Sequence, residues 1–293
     1  MPCKKLQKIS IIGMGLLGGS VALGIARCLP GVEVVGYAHR PTTRRKVRAL
    51  GLVEQVTSDL QACVADANMV ILATPLSAFA NILETIADHL MPGCIVTDVG
   101  STKKQVHCWA AQYLPKSVTY IGSHPMAGSE QQGIDYARDD LFDGATCIVT
   151  FRQRKATQST TCILTFWRDL GCQVVTMSPA QHDRIVAGVS HVPHAMAVAL
   201  VNATRPEWLS CAGKGFLDTS RVASGPANVW ADIFLTNTDS VTAGIDRLIK
   251  ELTKLRHAVA GQQRGRIERL LTNARQQRAS MINEKLKRKE LLK

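Results

Sequence analysis

Residues 9–18 read Ile9-Ser10-Ile11-Ile12-Gly13-Met14-Gly15-Leu16-Leu17-Gly18. A short, mostly apolar strand runs into a Gly-x-Gly-x-x-Gly turn at the mouth of a helix. Each glycine answers a separate steric demand. Gly13 makes a tight turn, Gly15 lets a pyrophosphate approach the backbone, and Gly18 lets helix and strand pack closely. The helix N-terminus adds free N–H groups and partial positive charge, with Leu16 and Leu17 in its first turn. Strand, helix and a second strand at Val32–Tyr37 make this a candidate dinucleotide site, the alternative being a glycine-rich core turn. An acid at the end of that second strand would bind the ribose 2′-hydroxyl of NAD. The chain has Ala38-His39-Arg40 there instead. Arg40 with His39 suits a 2′-phosphate, which favours NADP and leaves NAD open.

Working outward, short apolar runs at Met69–Ala73, Ile95–Val99, Thr119–Ile121, Cys147–Phe151 and Gln173–Thr176 alternate with helical patterns at Thr42–Leu50, Leu76–His89, Thr102–Tyr113 and Thr161–Leu170. Near-continuous apolar strands alternating with helices predict a doubly wound parallel α/β sheet covered on both faces. Thr74-Pro75 and Gly100-Ser101-Thr102-Lys103 end two of these strands, where such sheets bind ligands. Residues 152–160 form a polar break. Ser178-Pro179-Ala180-Gln181 is a helix start, with Ser as cap and Pro in the first turn. Beyond it the pattern is helical throughout. The expected organisation is therefore a dinucleotide-binding domain over 1–177 and an all-helical domain over 178–293.

The composition is 46% hydrophobic and 20% charged, which excludes a disordered chain. Nine scattered cysteines with no Cys-x-x-Cys argue against a thiolate zinc site and a disulfide framework. The net charge of +12 invites a nucleic-acid reading, but residues 247–293 hold fourteen Lys/Arg against four Asp/Glu. The basicity belongs to that tail, read as a solvated helix, so no nucleic-acid partner is expected. Lys4, Lys5 and Lys8 before the uncharged stretch 9–26 imitate a membrane signal, yet that stretch holds five glycines. A strand, turn and helix explain it better, so the chain is expected in the cytoplasm without a membrane partner.

The histidines differ in setting. His39, His89, His107 and His257 look isolated or polar. His124 lies in Gly122-Ser123-His124-Pro125, read as a loop after a strand, and His182, His191 and His194 follow on one long helix. No carboxylate or cysteine stands at metal-ligand spacing from them, so no metal is expected. Asp218-Thr219-Ser220-Arg221 offers a guanidinium fork suited to carboxylates.

Taken together, Gly-Ser-His-Pro-Met-Ala-Gly-Ser-Glu (122–130), His-Asp (182–183), Ser-His-Val-Pro-His (190–194), Gly-Phe-Leu-Asp-Thr-Ser-Arg (215–221) and Trp-Ala-Asp-Ile-Phe (230–234) resemble the prephenate dehydrogenases, which include arogenate and cyclohexadienyl dehydrogenases. The resemblance runs from about residue 7 to 256. It implies a Rossmann domain, a helical dimerisation domain, and hydride transfer from prephenate to NAD or NADP with loss of carbon dioxide. It implies His124 as the catalytic histidine, Ser101 as its orienting helper, Arg221 as carboxylate clamp, and His194 and Glu130 on the substrate side. Trp230 would come from a partner subunit, and Asp218 and His182 would play supporting roles. The family pattern is departed from at Ala38, where NAD-using members carry an acid. No regulatory or mutase domain is seen, so feedback control by such a domain is not expected. Two rivals remain: a β-hydroxy-acid dehydrogenase relying on a helical-domain lysine such as Lys214, and a non-enzymatic dinucleotide sensor.

Overall fold

Ile9, Ile11, Met69 and Ile71 pack on one face of a sheet and Ile12, Val70, Leu72 and Val96 on the other, all of them fully buried. That period-two partition is what a parallel sheet covered by helices on both sides requires. A computed structural model of the chain describes residues 6–127, 131–152 and 156–287. Its elements run β1 (Lys8–Ile12), α1 (Leu16–Cys28), β2 (Glu33–Tyr37), α2 (Pro41–Ala49), β3 (Gln55–Thr57), α3 (Leu60–Val64), β4 (Met69–Leu72), α4 (Phe79–Ile86), β5 (Ile95–Asp98), α5 (Lys104–Tyr113) and β6 (Thr119–Tyr120). They continue through β7 (Gly122–Pro125), β8 (Thr146–Thr150), α6 (Gln158–Asp169), β9 (Gln173–Met177), α7 (Pro179–Val186), α8 (Val192–Ala203), α9 (Lys214–Ser220), α10 (Ala227–Thr236), α11 (Thr238–Ala260) and α12 (Arg264–Lys287).

The first six strands form one parallel sheet in the order β3-β2-β1-β4-β5-β6, the doubly wound arrangement whose direction of winding switches beside β1 and β4. On one face α1 (Val21, Ala22, Ile25) and α6 (Ile163, Phe166, Trp167) complete the core; on the other, α4 (Phe79, Leu83, Ile86) and α5 (Val106, Ala110) do so. Truncating a buried ring such as Phe79 costs ~3–5 kcal/mol.

The later strands correct the sequence reading. β8 and β9 do not extend the main sheet; with β7 they make a separate three-stranded sheet, in which β7 and β8 are antiparallel. His124 therefore sits on a strand, opposite Ile148, and not in a loop. β7 is four residues, Gly-Ser-His-Pro, and has no apolar run to announce it. β3 is a three-residue edge strand, equally silent. The break after Phe151 also ends sooner than read, because Thr157 accepts a hydrogen bond from the Thr160 N–H and starts α6 at Gln158.

Ser178 caps α7 as read, accepting from the Gln181 N–H, with Pro179 in the first turn. The expected boundary at 177/178 separates the last strand from the first long helix. By compactness the chain divides into residues 1–240 and 241–293, so both sides of position 178 fall within one compact unit. The reason is bonding across the expected boundary: Asp183 on α7 accepts from the backbone of Lys103 and Lys104, and Asp232 on α10 accepts from Ser77 N. The second unit is α11 from Val241 together with α12, both helical, and α12 has no buried residue.

Gly18 bears the tightest packing of the turn. A Cβ there would lie 1.9 Å from the Gly13 carbonyl oxygen and 3.2 Å from Ala73 Cβ. Gly18→Ala is expected to lower stability by ~1–3 kcal/mol, as overpacking does. Urea denaturation checks this, and an unchanged midpoint would contradict the packing role.

Candidate active site

The carboxyl ends of β1, β2, β4 and β5 open onto a cleft of about 970 Å³. Its floor is the glycine turn. Gly13 has φ +109°, and a Cβ there would lie 2.6 Å from the Ala73 carbonyl oxygen, so no L side chain fits. Gly15 has nothing within 4 Å of its missing Cβ, so the backbone there is open to a ligand. It also begins α1 with no side-chain cap, leaving the first-turn N–H groups to a ligand. Leu16, Leu17, His39, Arg40, Thr74, Pro75 and Ser101 line the same cleft, and Gly18 is buried within α1. Arg44 donates to the carbonyls of Ala38 and His39 at 2.7 and 2.8 Å, holding the bend that presents Arg40. An open glycine, an uncapped helix and a basic flank suit a dinucleotide.

His124, Arg221 and Trp230 lie on the same cleft. Behind His124 runs a hydrogen-bonded chain. Its Nδ1 is 2.9 Å from His182 Nε2, and His182 Nδ1 is 2.7 Å from Asp183 Oδ1. A carboxylate can only accept, so His182 carries its proton on Nδ1 and must accept at Nε2. His124 therefore donates from Nδ1, which leaves its Nε2 lone pair as the basic atom. Burial, then His182, Lys103 and His191, hold His124 well below the usual imidazole range, and burial likewise lowers His182. Both rings are neutral at pH 7.

Two buried carboxylates fix the frame. Asp183 Oδ1 and Oδ2 accept from the N–H groups of Lys103 and Lys104 at 2.7 and 2.8 Å, at the start of α5. Asp98, at the end of β5, accepts from Lys103 Nζ, from Tyr120 Oη at 2.7 Å, from Gly100 N at 2.9 Å and from Ser123 N at 3.1 Å. The last of these bonds ties the His124 strand to the main sheet.

Several expected residues stand elsewhere. His182 is buried behind His124 and does not line the cleft, so it holds the His124 ring and not a ligand. Ser101 lines the cleft but makes no hydrogen bond to His124 among the described residues; the ring is oriented by His182. His194 is buried outside the cleft lining and stacks on Trp230, ring centroids 3.5 Å apart and 8° from parallel. Trp230, expected from a partner subunit, lines the cleft of its own chain. Gly225 makes room for that stack, since a Cβ would lie 2.2 Å from Trp230 Nε1. Asp218 is exposed on α9 and does not line the cleft, nor does Lys214. Glu130 lies outside the described residues. Lys103 is fully buried and spent on Asp98, so it faces no ligand. His107, read as isolated, is buried against Tyr120 and Thr150, and burial pushes its pKa down to about 3.

The family profile described as prephenate dehydrogenase, nucleotide-binding domain, matches residues 21–176. The one described as prephenate dehydrogenase, dimerization domain, matches residues 178–273. The chain is 34% identical to a prephenate dehydrogenase of Bacillus subtilis (strain 168) over 255 residues, covering 85% of this chain and 69% of that protein. It is 33% identical to a cyclohexadienyl dehydrogenase of Zymomonas mobilis over 263 residues, 87% of this chain and 89% of that one. A crystal structure of prephenate dehydrogenase from A. aeolicus, in complex with hydroxyphenyl propionate and NAD+, superposes with a TM-score of 0.88 at 29% identity, covering 95% of this chain and 99% of that one. The chain belongs to the prephenate dehydrogenase family.

Proposed function

We propose that the chain oxidises and decarboxylates prephenate to 4-hydroxyphenylpyruvate, with His124 as general base and Arg221 as carboxylate clamp. The observation that carries this is the bare Nε2 of His124 on one cleft with the glycine turn and a guanidinium. The bound nicotinamide cofactor accepts a hydride. His124 Nε2 takes the ring hydroxyl proton as the carbinol carbon gives up its hydride. The carbonyl so formed is an electron sink: the bond to the ring carboxylate breaks, carbon dioxide leaves, and its electron pair makes the ring aromatic. The phenolate oxygen then regains a proton. Arg221 holds the side-chain carboxylate at a distance from this chemistry, and His182 keeps the His124 lone pair directed outward. Acid–base help of this kind is worth ~10²–10⁴-fold.

Arogenate differs from prephenate only at the side chain, and the Zymomonas relative, a cyclohexadienyl dehydrogenase, supports that second reading. Arg40 on the cleft and the missing acid at Ala38 support NADP over NAD. The rival built on Lys214 has no support from geometry, since that residue is off the cleft. We place the enzyme in the cytoplasm as a homodimer through the helices after 178, without nucleic acid or membrane. The helical run Pro179–Ala203 is long and apolar enough to cross a bilayer, yet it buries His182, Asp183, His191 and His194 within the protein.

A two-substrate, two-cofactor assay at 340 nm tests the reading. Turnover of prephenate is expected, with kcat/KM higher for NADP, and Arg40→Ala is expected to remove that preference. Silence with both substrates and both cofactors would end the proposal; equal kcat/KM in the wild type would end the NADP part. The His182 bond has its own test. His182→Phe is expected to lower kcat by ~10²-fold with little change in KM, because it removes orientation of the base and not ground-state binding. In the wild type, activity is lost as His124 takes up a proton, so the acid limb of kcat/KM falls below pH 6.5. An unchanged kcat in the variant, or a wild-type limb at or above 6.5, would contradict the relay.

A further inference from the structure

His191 is a third imidazole on the cleft, beside His39 and His124, and is given no role so far. It ends the π-type turn Ala187–His191, between α7 and α8. Such one-residue insertions recur at functional sites. The next residue but one, Pro193, has no N–H to return to the helix, so the α ladder is interrupted there in any case.

Its tautomer follows from its neighbours. Asn237, buried at the end of α10, has its amide nitrogen 2.8 Å from the Asp183 main-chain oxygen and 3.3 Å from His191 Nδ1. A main-chain oxygen only accepts, so the amide group there is the NH2, and the same NH2 faces His191. His191 Nδ1 accepts, and a neutral ring then carries its proton on Nε2. Burial lowers the ring to about 4, so it is neutral at pH 7. That Nε2 is buried and has no hydrogen-bond partner among the described residues. Native proteins rarely leave a buried donor unpaired.

We infer that His191 is a substrate-binding residue whose Nε2–H donates to a carboxylate oxygen of the bound substrate. His124 and His191 are then imidazoles of opposite sense on one cleft. His124 presents a lone pair and takes a proton, while His191 presents an N–H and holds an anion. Asp183 sets both, through its side chain for His124 and through its main-chain oxygen and Asn237 for His191. The inference rests on the prephenate reading. A neutral donor also suits a carboxylate that must leave as carbon dioxide, since no ion pair has to be broken.

The test pairs two variants in the same steady-state assay as the wild type. His191→Asn keeps a polar group toward Asn237 and removes the donor at the Nε2 position. His191→Gln places an amide N–H near that position. His191→Asn is expected to raise KM for prephenate by ~10- to 100-fold, the worth of a hydrogen bond to a charged group, with KM for the nicotinamide cofactor and kcat little changed. His191→Gln is expected to recover most of the loss. Unchanged KM, a rise confined to the cofactor, or no difference between the two variants would overturn the assignment. Should either variant fail to fold, proton NMR of the wild type decides. Prephenate added without the nicotinamide cofactor, so that it cannot turn over, is expected to shift the His191 Nε2–H downfield, and a proton that does not respond, or sits on Nδ1, overturns it. Wild-type silence with prephenate would instead count against the activity itself, so the two failures are distinguishable.

Discussion

The Asp183 carboxylate accepts hydrogen bonds from the backbone of Lys103 and Lys104 and from His182, and its own main-chain oxygen accepts from Asn237. Those four bonds reach the start of α5, the ring behind His124 and the end of α10. The carboxylate is buried, and a buried charge is tolerated only when its lone pairs are satisfied. Here two of the donors are N–H groups of a helix start that have no intrahelical acceptor and also carry partial positive charge. One residue thus solves an electrostatic problem at α5 and sets the proton positions of the site.

Asp98 does the same at the neighbouring strand end. Its oxygens are saturated by Lys103, Tyr120, Gly100 and Ser123, so the loop leading to Ser101 and the strand bearing His124 are referred to one fixed point. The glycine turn stands two strands away, at the end of β1. The glycine turn and His124 are thereby held on one side of the sheet, where open α/β sheets place their ligands. Rigid placement matters because proton and hydride must leave the same carbinol, and small errors of orientation are costly.

Much of this was legible in the sequence where the signal is local. The glycine turn, the apolar strands β1, β2, β4, β5, β8 and β9, and the Ser178 cap each depend on neighbours within a few residues. The signal failed where partners are distant. Lys103 reads as a strand-end residue open to a ligand, because nothing near it announces Asp183, eighty positions on, or the depth of Asp98. His107 reads as isolated because Tyr120 and Thr150 close over it only in the fold. His182 was noticed through the His-Asp pair, but spacing cannot say that it faces another histidine and not a ligand. The four residues of β7 have a strand's geometry without a strand's composition, since antiparallel pairing with β8 fixes them. Asp218 shares a short stretch with Arg221, and only the end of α9 separates the exposed residue from the one at the cleft.

The central claim is a proton position: neutral His124 protonated on Nδ1, with Nε2 bare. Imidazole ¹⁵N NMR of the histidine-labelled enzyme at pH 7 reads it directly. The account predicts that His124 and His182 are both neutral and both carry their proton on Nδ1. An imidazolium at position 124, or a His124 proton on Nε2, would contradict it.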